Sequence, residues 1–133
     1  MAGRKKGSNA LTPLELKIMQ ALWQDGPSNV QQVQQRLLET DDLAYNTVQT
    51  MLNVLHRKGR VRRTLAGRAY VYRTVASRET VLGQAVHDFV GRMFGGSSEE
   101  LVMSLIKSHQ VDLNKIADLS RKLEMQEREE RDA

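Results

Sequence analysis

Apolar residues in the first third of the chain recur at helical spacing, not strand spacing. Leu14, Ile18, Ala21 and Leu22 share one face, widened by Met19 and Trp23, which implies a helix packed against more than one neighbour. Thr12 stands at the N-cap position, Pro13 suits the first helical position and Glu15 completes a capping box, while Gly26-Pro27 stops the element. Ser28-Asn29-Val30-Gln31 repeats the start signal ahead of Val33 and Leu37. A polar break at Thr40-Asp41-Asp42 then leads to a third helix, from about Ala44 to Lys58, ended by Gly59. After that helix the period changes. Arg60–Leu65 and Arg68–Thr74 are rich in Val, Thr and Tyr and flank Ala66-Gly67, which predicts a hairpin. In its first strand Val61, Arg63 and Leu65 fall on one side and Arg62 and Thr64 on the other. Three short helices followed by a hairpin is the order of a winged helix.

From Ser77 the helical period returns. Val81, Leu82, Ala85, Val86, Phe89, Val90 and Met93 line one side up to Phe94, where Gly95-Gly96 breaks the helix. Ser97-Ser98-Glu99-Glu100 opens another helix with Leu101, Val102, Leu105 and Ile106, and a last one starts near Asp112 with Leu113, Ile116, Ser120 and Leu123. About 50 residues of thin amphipathic helix do not easily shield their own apolar stripes. They either pair with a second copy or fold back onto the first domain, and pairing is the expectation. Phe89, Val90, Met93, Leu101, Leu105, Ile116 and Leu123 are then expected between chains. The predicted fold is mostly α with a small β-hairpin wing: an N-terminal winged helix-turn-helix and a C-terminal helical dimerisation domain. Its parts are a flexible basic arm over 1–10, the winged helix over 11–76, the dimerisation domain over 77–126 and a charged, fraying tail over 127–133.

Composition narrows the function. With 40% hydrophobic and 27% charged residues, the 133-residue chain is too apolar for wholesale disorder. The absence of cysteine excludes disulfides, thiolate metal sites, iron–sulfur clusters and cysteine nucleophiles. No run of 18 apolar residues occurs, and no apolar stretch follows the basic start MAGRKKGSNA, so the expected location is cytoplasmic. His56, His87 and His109 lie far apart and form no metal-spacing motif, so neither an enzyme nor a cofactor is expected.

Charge is unevenly distributed. Residues 1–78 hold 13 of the 20 Lys/Arg and 5 of the 16 Asp/Glu, whereas the remaining residues hold 7 and 11. A basic half joined to an acidic half fits two jobs, one of them facing a polyanion.

On a helical wheel of the third helix, Val48, Met51, Leu52 and Leu55 cluster on one side. Asn46, Gln49, Thr50, Asn53 and Arg57 cluster opposite, with no acid among them. Amides suit adenine edges, Arg suits guanine and a Thr methyl suits thymine, so Asn46, Gln49, Thr50 and Asn53 are the candidate base readers in a major groove. Phosphates and groove edges are assigned to Tyr45, Thr47, Arg57, Lys58, Arg62, Arg63 and Arg68. Arg60 and Arg73 belong to the same basic cluster, some members of which are expected to lie along sheet surface with their heads in water. Tyr70 and Tyr72 are expected to pack the hairpin. A winged-helix protein binding DNA without sequence preference, or binding RNA, would use the same phosphate contacts. A protein-interaction adaptor would have no use for the basic half.

These residues carry a family resemblance. Leu11-Thr12-Pro13-Leu14-Glu15-Leu16-Lys17-Ile18-Met19 with Leu22-Trp23, the helix start Leu43-Ala44-Tyr45-Asn46-Thr47-Val48-Gln49-Thr50-Met51-Leu52, the hairpin run Gly67-Arg68-Ala69-Tyr70-Val71-Tyr72 and the break Phe94-Gly95-Gly96-Ser97 resemble the penicillinase and methicillin-resistance repressor family. The resemblance covers residues 11–123. It implies a bacterial transcription repressor that pairs through its C-terminal helices and binds a palindromic operator, controlling β-lactam-response genes in its best-known members. In those members a membrane-bound sensor protease triggers cutting of the C-terminal region, which weakens the dimer. Where that family has an Asn-Phe cleavage pair, this chain has Ser104-Leu105, and the cysteine-rich metal hook of the copper-responsive branch is missing.

Overall fold

The computed structural model describes residues 10–132, so nearly all of the expected basic arm lies outside the described residues. The order of elements is α1 (Pro13–Asp25), α2 (Val30–Leu37), α3 (Tyr45–Arg57), β1 (Val61–Ala66), β2 (Ala69–Thr74), α4 (Arg78–Phe94), α5 (Ser98–Lys107) and α6 (Leu113–Asp132). The fold is mostly helical with a two-stranded antiparallel hairpin, a winged helix followed by further helices. Among the described residues no helix is long and apolar enough to cross a membrane.

Local chemistry accounts for the boundaries. Thr12 caps α1 reciprocally: its Oγ1 accepts from the Glu15 amide at 3.1 Å, and its own amide donates to Glu15 Oε1 at 2.9 Å. Asn29 and Gln32 repeat the device at α2. At the end of α3, Gly59 takes φ +76°, its amide donates to His56 O, and the Arg60 amide donates to Leu55 O. That is a Schellman closure, which a residue with a Cβ adopts only under strain.

Strands β1 and β2 pair from Val61↔Thr74 to Ala66↔Ala69, so the loop residues are Gly67 and Arg68. The turn therefore sits one residue beyond the predicted Ala66-Gly67. A positive φ at Gly67 and none at Arg68 is the II′ pattern, whose twist suits a two-residue hairpin. The hairpin has a third partner. Ser28 and Tyr72 exchange both main-chain hydrogen bonds, at 3.0 and 2.8 Å, fastening β2 to the segment before α2.

The core of this part is Ile18, Met19 and Leu22 of α1, Val30, Val33 and Leu37 of α2, Val48, Leu52 and Leu55 of α3, and Val61 and Tyr72 of the hairpin. All three helices and both strands thus contribute, which fixes α3 with its opposite face outward. Trp23 Nε1 donates to Ala76 O at 3.0 Å, holding the chain where it leaves the hairpin.

The chain divides into two units, Met1–Leu82 and Gly83–Ala133. The division falls inside α4, several residues beyond the expected boundary at 76, and leaves the buried Val81 with the first unit. In the second unit, α5 is capped by Ser97, whose Oγ accepts from the Glu100 amide, and neither α5 nor α6 has a fully buried residue. Helix α6 continues to Asp132, so the segment expected to fray is helical. His109 closes α5 with φ +61°, its amide on Ile106 O and the next amide on Leu105 O.

Candidate nucleic-acid interface

Helix α3 buries Val48, Leu52 and Leu55 completely and half-buries Met51. Asn46, Gln49 and Thr50 are consequently exposed, on the face opposite the core. Arg57, at the end of the same helix, is exposed as well. Unlike α1 and α2, α3 starts without a side-chain cap: Ala44 precedes Tyr45 and Thr47, both exposed. The face carries amides, hydroxyls and a cation but no carboxylate.

The hairpin supplies the second half of the surface. Arg62, Arg68 and Arg73 are exposed, and Arg68 occupies the tip of the turn. A cleft of about 300 Å³ separates the start of α2 from α3 and the hairpin, and among its lining residues are Gln31, Tyr45, Gln49, Arg68 and Tyr70. It joins the amide-bearing face to the basic tip, so one extended polyanion can touch both.

Three of the predicted contacts have other partners. Lys58 Nζ lies 2.8 and 3.1 Å from the two carboxylate oxygens of Glu15 and 3.1 Å from Ala10 O, so its charge is spent inside the protein and is not offered to phosphate. Glu15 is 4% exposed. Burial is the largest influence on its carboxyl and raises its pKa. The Lys58 hydrogen bond, the Thr12 amide, the Lys58 charge and the Thr12 hydroxyl together outweigh burial and hold it below the ordinary carboxylate value.

Arg63 is half-buried; its Nη1 donates to Asn53 Oδ1 at 3.1 Å, and its guanidinium lies 4.4 Å from the centre of the Tyr70 ring. Asn53 itself is half-buried, and its oxygen also accepts from Tyr72 Oη at 3.1 Å. Of the four amide and hydroxyl side chains predicted to read bases, Asn46, Gln49 and Thr50 stand together in the open and Asn53 is tied to the hairpin. Tyr72 packs the hairpin as expected, whereas Tyr70 is 42% exposed beneath Arg63. Sequence reading missed Glu15 as the partner of Lys58; a carboxylate beside Ile18 and Met19 on an inward face was the available signal.

The residues expected between chains divide similarly. Val90 is buried within the single chain, which removes it from that set. Leu101, Leu105 and Ile116 are half-buried, while Phe89, Met93 and Leu123 are 40%, 65% and 59% exposed. The Ser104-Leu105 bond lies inside α5, with the Ser104 carbonyl accepting from the Ser108 amide at 3.0 Å.

A family model described as penicillinase repressor matches residues 11–125. The penicillinase repressor of Bacillus licheniformis is 26% identical over 114 residues, covering 86% of this chain and 89% of that protein. Among solved structures, transcriptional regulator Tm0710 from Thermotoga maritima is 22% identical with a TM-score of 0.51, covering 92% of this chain and 79% of its own. Monomeric BlaI from Bacillus licheniformis, solved in complex with the blaP half-operator, is 28% identical with a TM-score of 0.46 over 53% of this chain and 85% of its own.

Proposed function

This chain belongs to the penicillinase repressor family, and on that premise we propose that it is a sequence-specific bacterial transcriptional repressor which binds a palindromic operator as a homodimer. The observation that carries the reading is the outward face of α3, where Asn46, Gln49 and Thr50 stand exposed with no acid on the helix. A carboxylate there would repel phosphate and could only accept from the amino groups of cytosine or adenine, whereas the amides of Asn46 and Gln49 pair with both the acceptor and the donor of adenine and the Thr50 methyl suits thymine. Arg57, Arg62 and Arg68, with Tyr45 and Thr47 at the uncapped start of α3, take phosphates and groove edges.

Dimerisation is supported by the second unit, whose exposed Phe89, Met93 and Leu123 need an apolar partner. Two linked recognition helices then read half-sites about one duplex turn, or a small multiple, apart. The proposal that it controls β-lactam-response genes, in the cytoplasm, rests on the relatedness alone. Relief by a membrane sensor protease rests on it too, with the cut falling at Ser104-Leu105 in place of the family's Asn-Phe pair. Proteases bind extended chain, so that cut requires α5 to open locally first.

Selection of duplexes from a random pool, followed by competition against unselected duplex at fixed salt, tests the proposal. The expected result is a palindromic consensus bound at least about a thousandfold more tightly than random duplex. Equal affinity for both would reduce the protein to a non-specific winged-helix binder of DNA or RNA.

A further inference from the structure

We infer that Asn53 is a positioning residue that sets the hairpin against the recognition helix, an assignment that rests on the reading of α3 given above. A single atom carries it. Asn53 Oδ1 accepts one hydrogen bond from Arg63 Nη1 on β1 and one from Tyr72 Oη on β2, each 3.1 Å long. Arg63 and Tyr72 are directly opposite one another in the strand register. One amide oxygen of α3 therefore receives a donor from each strand at the same rung, which uses both of its lone pairs.

The surroundings make this contact a determinant of hairpin geometry. Tyr72 is 2% exposed, so its hydroxyl has no ready access to water and depends on Asn53 for an acceptor. Its main chain is fixed on the other side by the paired bonds to Ser28. Arg63, held at one end by Asn53, spreads its guanidinium over Tyr70 and keeps that ring beside the tip. An isolated two-stranded hairpin is marginally stable in water, so its orientation is set by what it docks on. Beyond the Asn53 fork the strands carry exposed Thr64, Leu65, Ala66 and Ala69, and among the described residues no side-chain hydrogen bond ties the tip to α3. Removing the fork leaves the tip, with Arg68, free to swing, and DNA must then immobilise it at a cost in affinity.

The assignment separates Asn53 from Asn46, Gln49 and Thr50, because an amide that reads adenine needs both its donor and its acceptor free, and the acceptor of Asn53 is taken up by Arg63 and Tyr72. The test uses the full chain in three variants. Asn53→Leu removes the acceptor, Asn53→Asp keeps it while discarding the amide donors, and Tyr72→Phe deletes one of the two donors without disturbing the ring. Amide relaxation by NMR on the free protein reads the mobility of Gly67 and Arg68. Hydroxyl-radical footprinting on the selected duplex reads the flank under the tip.

In Asn53→Leu the tip amides should become mobile, flank protection should disappear and affinity should fall about tenfold, with the selected base preference unchanged. Tyr72→Phe should move the same readouts part of the way, and Asn53→Asp should keep the tip order of the free protein, whatever its added charge does to DNA binding. A relaxed preference at one base pair in Asn53→Leu, with the flank still protected, would overturn the assignment in favour of base reading. So would tip amides as mobile in Asn53→Asp as in Asn53→Leu, or an unchanged tip in both Asn53→Leu and Tyr72→Phe. If the unaltered protein selects no sequence, the recognition-helix reading fails; tip mobility still decides the role of Asn53.

Discussion

Lys58, the residue that ends α3, is held against Glu15 in the first turn of α1, with Nζ 2.8 Å from one carboxylate oxygen and 3.1 Å from the other. The pair joins two helix termini that are far apart in sequence, and the carboxylate is almost wholly buried. Lys58→Met leaves that charge without a counterion. It should cost about 3 kcal/mol at neutral pH, the low end for a broken buried pair, because Lys58 keeps 18% exposure.

The pH dependence has a definite sign. Folding holds the Glu15 carboxyl below its ordinary value, so the stability it contributes is present above the unfolded-state pKa and is lost as pH falls through the folded one. The penalty of Lys58→Met should shrink over the same acid range, since protonated Glu15 needs no partner. Urea unfolding across that range measures both effects, and a penalty independent of pH would contradict the pairing.

DNA binding separates Lys58 from the exposed arginines. Arg62→Ala or Arg68→Ala should weaken binding to all duplexes and flatten the salt dependence by about one unit of slope each. Lys58→Met, once its folded fraction is corrected for, should leave that slope unchanged. Gln49→Ala and Thr50→Ala should each cost about 1–3 kcal/mol on the preferred duplex while sparing random duplex. Titrations at several salt concentrations distinguish the three behaviours.

His109 closes α5 in the left-handed region, where a side chain is strained and glycine is not. His109→Gly should stabilise the second unit by about 0.5–1 kcal/mol, the relief of strain being partly offset by the freer unfolded chain. A thermal melt that shifts downward would show that the imidazole makes a compensating contact.

Met93 is 65% exposed in the single chain, so Met93→Asp should leave helix content intact. In a dimer seam the same carboxylate would be desolvated without a partner, at a cost of roughly several kcal/mol. Sedimentation should therefore find monomers where the unaltered chain is dimeric. A truncated chain for the matching DNA experiment is best ended after Leu82, because Ala76 accepts from Trp23 and Val81 is buried.

What could be read directly from the sequence was local. Thr12 with Glu15, and Gly59 after Lys58, signal their structures within a few residues, and the inward stripe of α3 follows from helical spacing alone. The hairpin turn was misplaced by one residue because Ala66-Gly67 and Gly67-Arg68 both put a glycine at the bend, and only strand pairing selects between them. Lys58 and Asn53 depart from expectation for a different reason. Both occupy positions on α3 where their residue type suits DNA, and both are claimed by groups elsewhere in the fold: Glu15 for one, Arg63 and Tyr72 for the other. Helical periodicity reports the direction of a side chain, and it says nothing about a partner brought in by tertiary folding.

The hairpin is fastened along β2, where Ser28 pairs with Tyr72, while among the described residues β1 has a ladder partner on one side only. An unpaired strand edge invites a strand from another molecule, and charged side chains are a common deterrent. Exposed Arg62, together with the half-buried Arg60 and Arg63, supplies that deterrent on β1, and Arg62 is also the β1 residue proposed to face DNA. Stripping the wing of its arginines to abolish DNA binding would thus uncover a β-prone edge beside the exposed Leu65, and light scattering of such a variant should report self-association that the native chain avoids.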